Sequence, residues 1–172
     1  PDTLRLTQVS ELKDGMEVVF YCPEGKTAIS GTADGKKLAA AETAQTTDGL
    51  TVAKDAGTVF TVSVDTNGSY TFLQGGKYLT AGETGSSLFL AAAASDYSLW
   101  TAEKNGDAFY LKSVNASYSG KAQYLEYYTT FTTYGLGSGG KNFAMTFRKL
   151  APASSEGGLP APGAQVVLYN QN

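Results

Sequence analysis

The 172-residue chain contains no histidine and a single cysteine, Cys22. The first absence removes the side chain most used as a general base near neutral pH, and the commonest metal ligand. The second excludes an internal disulfide. It fits a cytosolic protein and a cysteine-avoiding bacterial surface protein equally, and leaves Cys22 to be read as a small apolar residue at a strand end. Charge is scarce too. Asp, Glu, Lys and Arg make up 17% of the residues, with a net charge of −3 and an isoelectric point of about 4.9. No basic stripe is present to hold a nucleic acid, and the same shortage disfavours an acidic membrane surface. No stretch approaches the ~20 consecutive apolar residues of a spanning helix. A signal peptide is missing from the start at Pro1, so the chain is expected to be a piece of a longer protein whose address lies elsewhere.

What is present is apolar, aromatic and turn-rich. Hydrophobic residues reach 42%, enough for a buried core, and 20 glycines and 11 tyrosines accompany many threonines, serines and alanines. That composition suits short strands joined by tight turns.

The strands repeat. "GKKLAAAE" from Gly35, "GKYLTAGE" from Gly76 and "GKAQYLEYY" from Gly120 place Leu38, Leu79 and Leu125 in line. "VFTVSV" from Val59, "LWTAEK" from Leu99 and "AMTFRKL" from Ala144 align Phe60, Trp100 and Met145, each followed by threonine. "LTVAK", "LFLAA" and "FTTYG" lie between these lines, and "EVVFYC", "SYTFLQ" and "AFYLKS" precede them. Three units of roughly forty to forty-five residues emerge, each with four strands showing two-residue alternation. Asn67-Gly68 and Asn105-Gly106 join successive units and predict hairpins with both turn residues at positive φ. Three four-stranded units predict an all-β fold, a β-trefoil, in which closure removes exposed strand edges. An immunoglobulin-like β-sandwich is the alternative, but it does not require threefold repetition.

On this reading residues 1–15 form a lead-in with one helical turn capped by Ser10 and stopped by Gly15. The trefoil covers 16–150, with repeats at about 16–65, 66–104 and 105–150. Residues 151–163 form a Pro/Gly/Ser linker. Residues 164–172 begin a further copy, because "PGAQVVLYNQN" parallels "DGMEVVFYCPEG" at Val18-Val19 and Tyr21.

The run L-x-D-G-x-x-V-V-x-Y, then GKxL, W-T and YLEYY, over roughly residues 4 to 150, resembles accessory modules of large secreted proteins of gut clostridia. The resemblance implies an extracellular or cell-surface, non-catalytic role in attachment or ligand binding, beside neighbouring domains of the same chain. The threefold plan is also similar to ricin-type lectin trefoils. Their Gln-x-Trp signature is absent: the matching places read Phe60-Thr61-Val62, Trp100-Thr101-Ala102 and Met145-Thr146-Phe147. The sugar site of that family is therefore not carried over.

No catalytic residue is assigned, since a serine nucleophile would lack a histidine partner. No cofactor motif appears. "DTNGS" at Asp65 opens like a calcium loop but lacks the later acidic ligands, and a hairpin accounts for it. Gly135 onward reads "GLGSGG" without the lysine and helix of a phosphate cradle. The remaining candidate is aromatic. If Leu125 faces the core, then Tyr124, Glu126 and Tyr128 face outward, with Tyr118 and Tyr134 in flanking loops. The matching outward positions are Lys37, Ala39 and Ala41 in the first repeat, and Tyr78, Thr80 and Gly82 in the second. Tyrosines offer flat apolar area with a polar tip, and a carboxylate accepts hydroxyl hydrogen bonds, which suits the face and rim of a sugar. The expected partner is a glycan, of host mucin type or a polysaccharide. A spacer or protein-interaction module without a small ligand is the alternative.

Overall fold

A computed structural model describes residues 3–47, 49–136 and 140–150; the linker and the further copy expected beyond 150 lie outside it. Fourteen strands and two short 3-10 turns are found among the described residues, with no α-helix. All the strand pairs are antiparallel.

The expected three-unit plan is present. The first unit holds β2 (Glu17–Cys22), β3 (Thr27–Asp34), β4 (Lys37–Thr46), β5 (Gly49–Ala53) and β6 (Phe60–Val64). The second holds β7 (Tyr70–Gln74), β8 (Lys77–Ala81), β9 (Leu88–Ala91) and β10 (Trp100–Asn105). The third holds β11 (Ala108–Tyr118), β12 (Lys121–Tyr128), β13 (Thr130–Gly135) and β14 (Thr146–Leu150).

Register makes the threefold relation explicit. The first strand of each unit meets its last strand at Val18 with Phe60, Tyr70 with Trp100, and Phe109 with Met145. Two residues further along the first strands stand Phe20, Phe72 and Leu111, all with no exposure. Phe20 and Phe72 meet edge to face at 4.7 Å, a geometry favoured by the ring quadrupole. Phe60, Trp100 and Met145 are equally buried, as their alignment in sequence implied. The indole N–H of Trp100 donates to the carbonyl of Leu79 at 2.9 Å, so the largest core side chain leaves no donor unpaired.

In the first repeat the register differs from the sequence expectation. Tyr21 pairs with Ala28 as Leu73 pairs with Tyr78 and Lys112 with Tyr124. Ile29, and not Leu38, is therefore the counterpart of Leu79 and Leu125. Leu38 instead matches Leu88 and Phe131, and it pairs with Phe131 directly. The repeat contains two Gly-Lys turns. Gly25-Lys26 is the structural match but carries one residue more before its core isoleucine, whereas Gly35-Lys36 reproduces the leucine-bearing motif by eye. The outward positions of the first repeat are accordingly Ala28, Ser30 and Thr32, in place of Lys37, Ala39 and Ala41.

Two further expectations change. Residues Thr3–Val9 form a strand, β1, and no helical turn follows. Leu4 and Leu6 alternate with polar residues, the pattern of a strand, and Asp14 spends its carboxylate on the amide of Val64 at 2.9 Å. β1 lies between β14 and β5. β5 itself pairs with the far half of β4, so "LTVAK" sits outside the threefold pattern. Leu6, Val19, Ala28, Leu50 and Val52 make a second, smaller core beneath this side sheet. At the two Asn-Gly turns only Gly68 and Gly106 take positive φ, not the asparagines. The first is organised by the Asp65 carboxylate, which accepts from the amides of Asn67 and Ser69. Cys22 is fully buried and unpaired, and burial pushes its thiol up from the usual range.

Candidate functional site

The β12–β13 hairpin carries the site. Leu125 points into the barrel, Gln123 is buried beneath the hairpin, and Tyr127 packs on Phe131 at 5.2 Å. Alternation then sends Tyr124, Glu126 and Tyr128 to the other face, where their partners across the hairpin are Tyr134, Thr132 and Thr130. Thr129 closes the turn at a φ of 61°.

The five sequence-predicted residues separate into three surroundings. Glu126, Tyr128 and Tyr134 line a cleft of about 300 Å³ together with Lys37 and Thr132. Tyr118 and Tyr134 line a second, larger cleft of about 570 Å³, whose other walls come from Thr84–Ser86, Ser119, Lys121 and Gln123. Tyr134 is shared. Tyr124 belongs to neither cleft. Its hydroxyl donates to Glu103 Oε1 at 3.0 Å, and its ring meets Tyr110 edge to face at 6.3 Å. Burial and then the Glu103 carboxylate raise its phenol above the ordinary range. The grouping of Tyr124 with Glu126 and Tyr128 is thus corrected: β12 lies against β11, and Tyr110 and Glu103 capture the first tyrosine.

Repeats one and two show how far the third departs. The counterparts of Glu126 are Ser30 and Thr80, both buried with satisfied hydroxyls. Ser30 Oγ donates to the Ala39 carbonyl at 2.7 Å, and Thr80 Oγ1 to that of Tyr78 at 2.8 Å. Glu126 is half-buried and reaches no such partner. Burial raises its carboxyl pKa, and the positive charge of Lys37 partly opposes the rise.

Both clefts have an incomplete hydrogen-bond inventory. Thr132 Oγ1 and Gln123 Oε1 are buried and have no partner within the protein, two of four such side-chain atoms among the described residues. A buried unpaired polar atom costs on the order of 1–3 kcal/mol, so each position suits a water or the hydroxyl of a ligand that takes its place. The larger cleft also gathers unusual backbone. Ser86 and Ser119 adopt φ of 56° and 51°. Left-handed non-glycine residues cost roughly 1–2 kcal/mol each and concentrate at functional sites. Between them Gly85 approaches so closely that a Cβ there would lie 2.7 Å from Gln123 Oε1.

Lys37, Thr132 and Gln123, and the Thr84–Ser86 loop, escaped the sequence reading. Thr132 was in reach of it, since alternation along "FTTYG" puts Thr132 and Tyr134 on one face. The loop was not, because only the packing of repeat two on repeat three brings it there.

Known proteins agree in fold and diverge in sequence. No family model and no curated protein matches the chain. Solved structures do. SeviL, described as bound to asialo-GM1 saccharide, superposes with a TM-score of 0.57 at 15% identity, over 78% of this chain and 98% of that one. A Polyporus squamosus lectin bound to a human-type influenza-binding epitope gives 0.61 at 11%, over 81% and 50%. The BEL β-trefoil gives 0.60 at 12%, over 84% and 100%.

The fold is a β-trefoil. The side sheet built on β1 and β5 is an addition to its threefold plan, and the two clefts lie where the repeat-three hairpin of the trefoil meets its neighbours. At these identities the likeness concerns architecture alone, and what the clefts hold has to be argued from their own residues.

Proposed function

We propose that this trefoil is a non-catalytic carbohydrate-binding module. The observation that carries the reading is the larger cleft. Two exposed tyrosine rings wall it, hydroxyl and ammonium groups rim it, and the unpartnered amide oxygen of Gln123 stands beneath. Flat apolar walls suit the C–H face of a sugar ring, and the polar groups suit its hydroxyls. Neither cleft is lined by two carboxylates, the pair that glycoside hydrolysis ordinarily needs, which favours binding over turnover. Saccharide complexes among the trefoil neighbours are in keeping with this. We extend the reading to an accessory module of a secreted or cell-surface bacterial protein, supported by the resemblance of its motifs to such modules.

Retention on immobilised glycans tests the reading. The protein is expected to bind a subset, and Tyr134→Ala to weaken binding by about tenfold or more, as loss of a stacking ring does, at an unchanged melting temperature. Retention by no glycan, or equal retention of a Tyr118→Ala/Tyr134→Ala double variant, would discard it in favour of a spacer or interaction module.

A further inference from the structure

The two clefts meet at one residue. Tyr134 forms a wall of both, and it stands exposed between them. On one side lies Gln123 and on the other Thr132, on adjacent strands, each bearing a buried oxygen without a protein partner. The chemistry of the two sides differs. The larger cleft offers Lys121 as its one charged group. The smaller places the Lys37 ammonium and the Glu126 carboxylate around the same space, with Thr132 between β12 and β4. Lys37 reaches this place because β4 pairs with β13 at Leu38 and Phe131.

A donor and an acceptor of opposite charge facing one small volume match a pair of adjacent hydroxyls, one accepting from Lys37 and one donating to Glu126. An anionic group there would meet the Glu126 carboxylate. We infer that the two clefts form one extended site, in which consecutive residues of a single oligosaccharide lie on either side of Tyr134, the unit beside Glu126 being uncharged. This rests on the carbohydrate reading above and adds to it the length of the ligand and the neutrality of its second unit.

The test uses a printed series of galactosides, glucosides and mannosides at one, two and four residues, with melting temperature read alongside. For the sugar type that binds, the two- and four-residue forms are expected to bind at least about fivefold tighter than the single residue, the worth of about one hydrogen bond. Thr132→Val, which puts a methyl in place of the buried hydroxyl, should abolish that gain; Lys37→Ala, at an exposed position, repeats the test if Thr132→Val fails to fold. Phe89→Ala, exposed on β9 and outside both clefts, should leave the whole series unchanged. Equal affinity for one and four residues, or a length gain kept by both cleft variants, overturns the extended site while leaving carbohydrate binding in place. Binding to none of the series overturns the extended site, and retention by no glycan of any type removes the carbohydrate reading with it.

Discussion

The β3–β4 hairpin of repeat one and the β12–β13 hairpin of repeat three occupy threefold-equivalent positions on the barrel and have opposite characters. In the first, Ala28, Ile29 and Ser30 are all buried and the serine hydroxyl is satisfied by backbone. In the third, Leu125 keeps the core place while Glu126 and Tyr128 turn to open clefts. The threefold plan constrains what points inward: Ile29, Leu79 and Leu125 are interchangeable fillers of one layer. It leaves the outward positions to local use: repeat one buries Ala28 beneath the β1–β5 side sheet and Ser30 against the Ala39 carbonyl, where repeat three leaves Glu126 and Tyr128 open. Symmetry of the core and asymmetry of the surface are thus compatible properties of one chain.

Breaking the shared layer should have the largest effect. Phe20→Ala opens a cavity among three other rings and is expected to cost about 3–5 kcal/mol by chemical denaturation, a large part of the ~5–15 kcal/mol stability of a domain this size. Ile29→Ala should follow at about 2–5 kcal/mol. A near-neutral result would return Ile29 to the surface and undo the register that equates it with Leu79 and Leu125.

The contact between the β2–β3 turn and the third hairpin comes next. A Cβ on Gly25 would overlap the Tyr127 ring, so Gly25→Ala should destabilise by about 1–3 kcal/mol through overpacking. Combination with Tyr127→Leu should recover part of that loss, a coupling read from the double-mutant cycle. Additive effects would show that this turn and the third hairpin do not press on each other.

Outward substitutions sharpen the contrast from the other side. Tyr128→Ala, at a residue 69% exposed, should change stability by less than about 0.5 kcal/mol while weakening glycan retention. The smallest effect belongs to Glu126→Gln. The folded-state pKa of Glu126 is raised, so the folded protein holds that proton more tightly than the unfolded chain. Its ionisation therefore removes stability as pH rises through the carboxylate range, and costs nothing below it. The Glu126→Gln variant should gain slightly on the parent as pH rises from acid to neutral, as followed by thermal melts; a gap that closes with rising pH would contradict the burial assigned to this carboxyl.

The fold was legible where the sequence repeats a core residue with its neighbours. Phe60, Trp100 and Met145 carry the same following threonine and align without gaps. It was misread in repeat one, where the leucine-bearing Gly-Lys motif belongs to the later turn; strand pairing, a tertiary property, decides between the two. β1 went unread as a strand although Leu4 and Leu6 alternate with polar residues, because the partners that give it a place, β14 and β5, lie far off in the chain. At the site, two-residue alternation found Glu126 and Tyr128. It could not find that Tyr124 is held by Glu103, since that depends on which strand lies beside β12.

Trp100 stands alone of its kind and has no solvent exposure. Its indole, hydrogen-bonded to Leu79, will emit toward the blue in the native state and shift red only when the barrel opens. Light absorbed above the tyrosine band therefore reports folding and is blind to what the clefts hold. Occupancy has to be sought in the near-ultraviolet difference signal, to which the exposed Tyr118, Tyr128 and Tyr134 contribute, so red-edge excitation follows the symmetric interior while that difference signal adds the asymmetric surface.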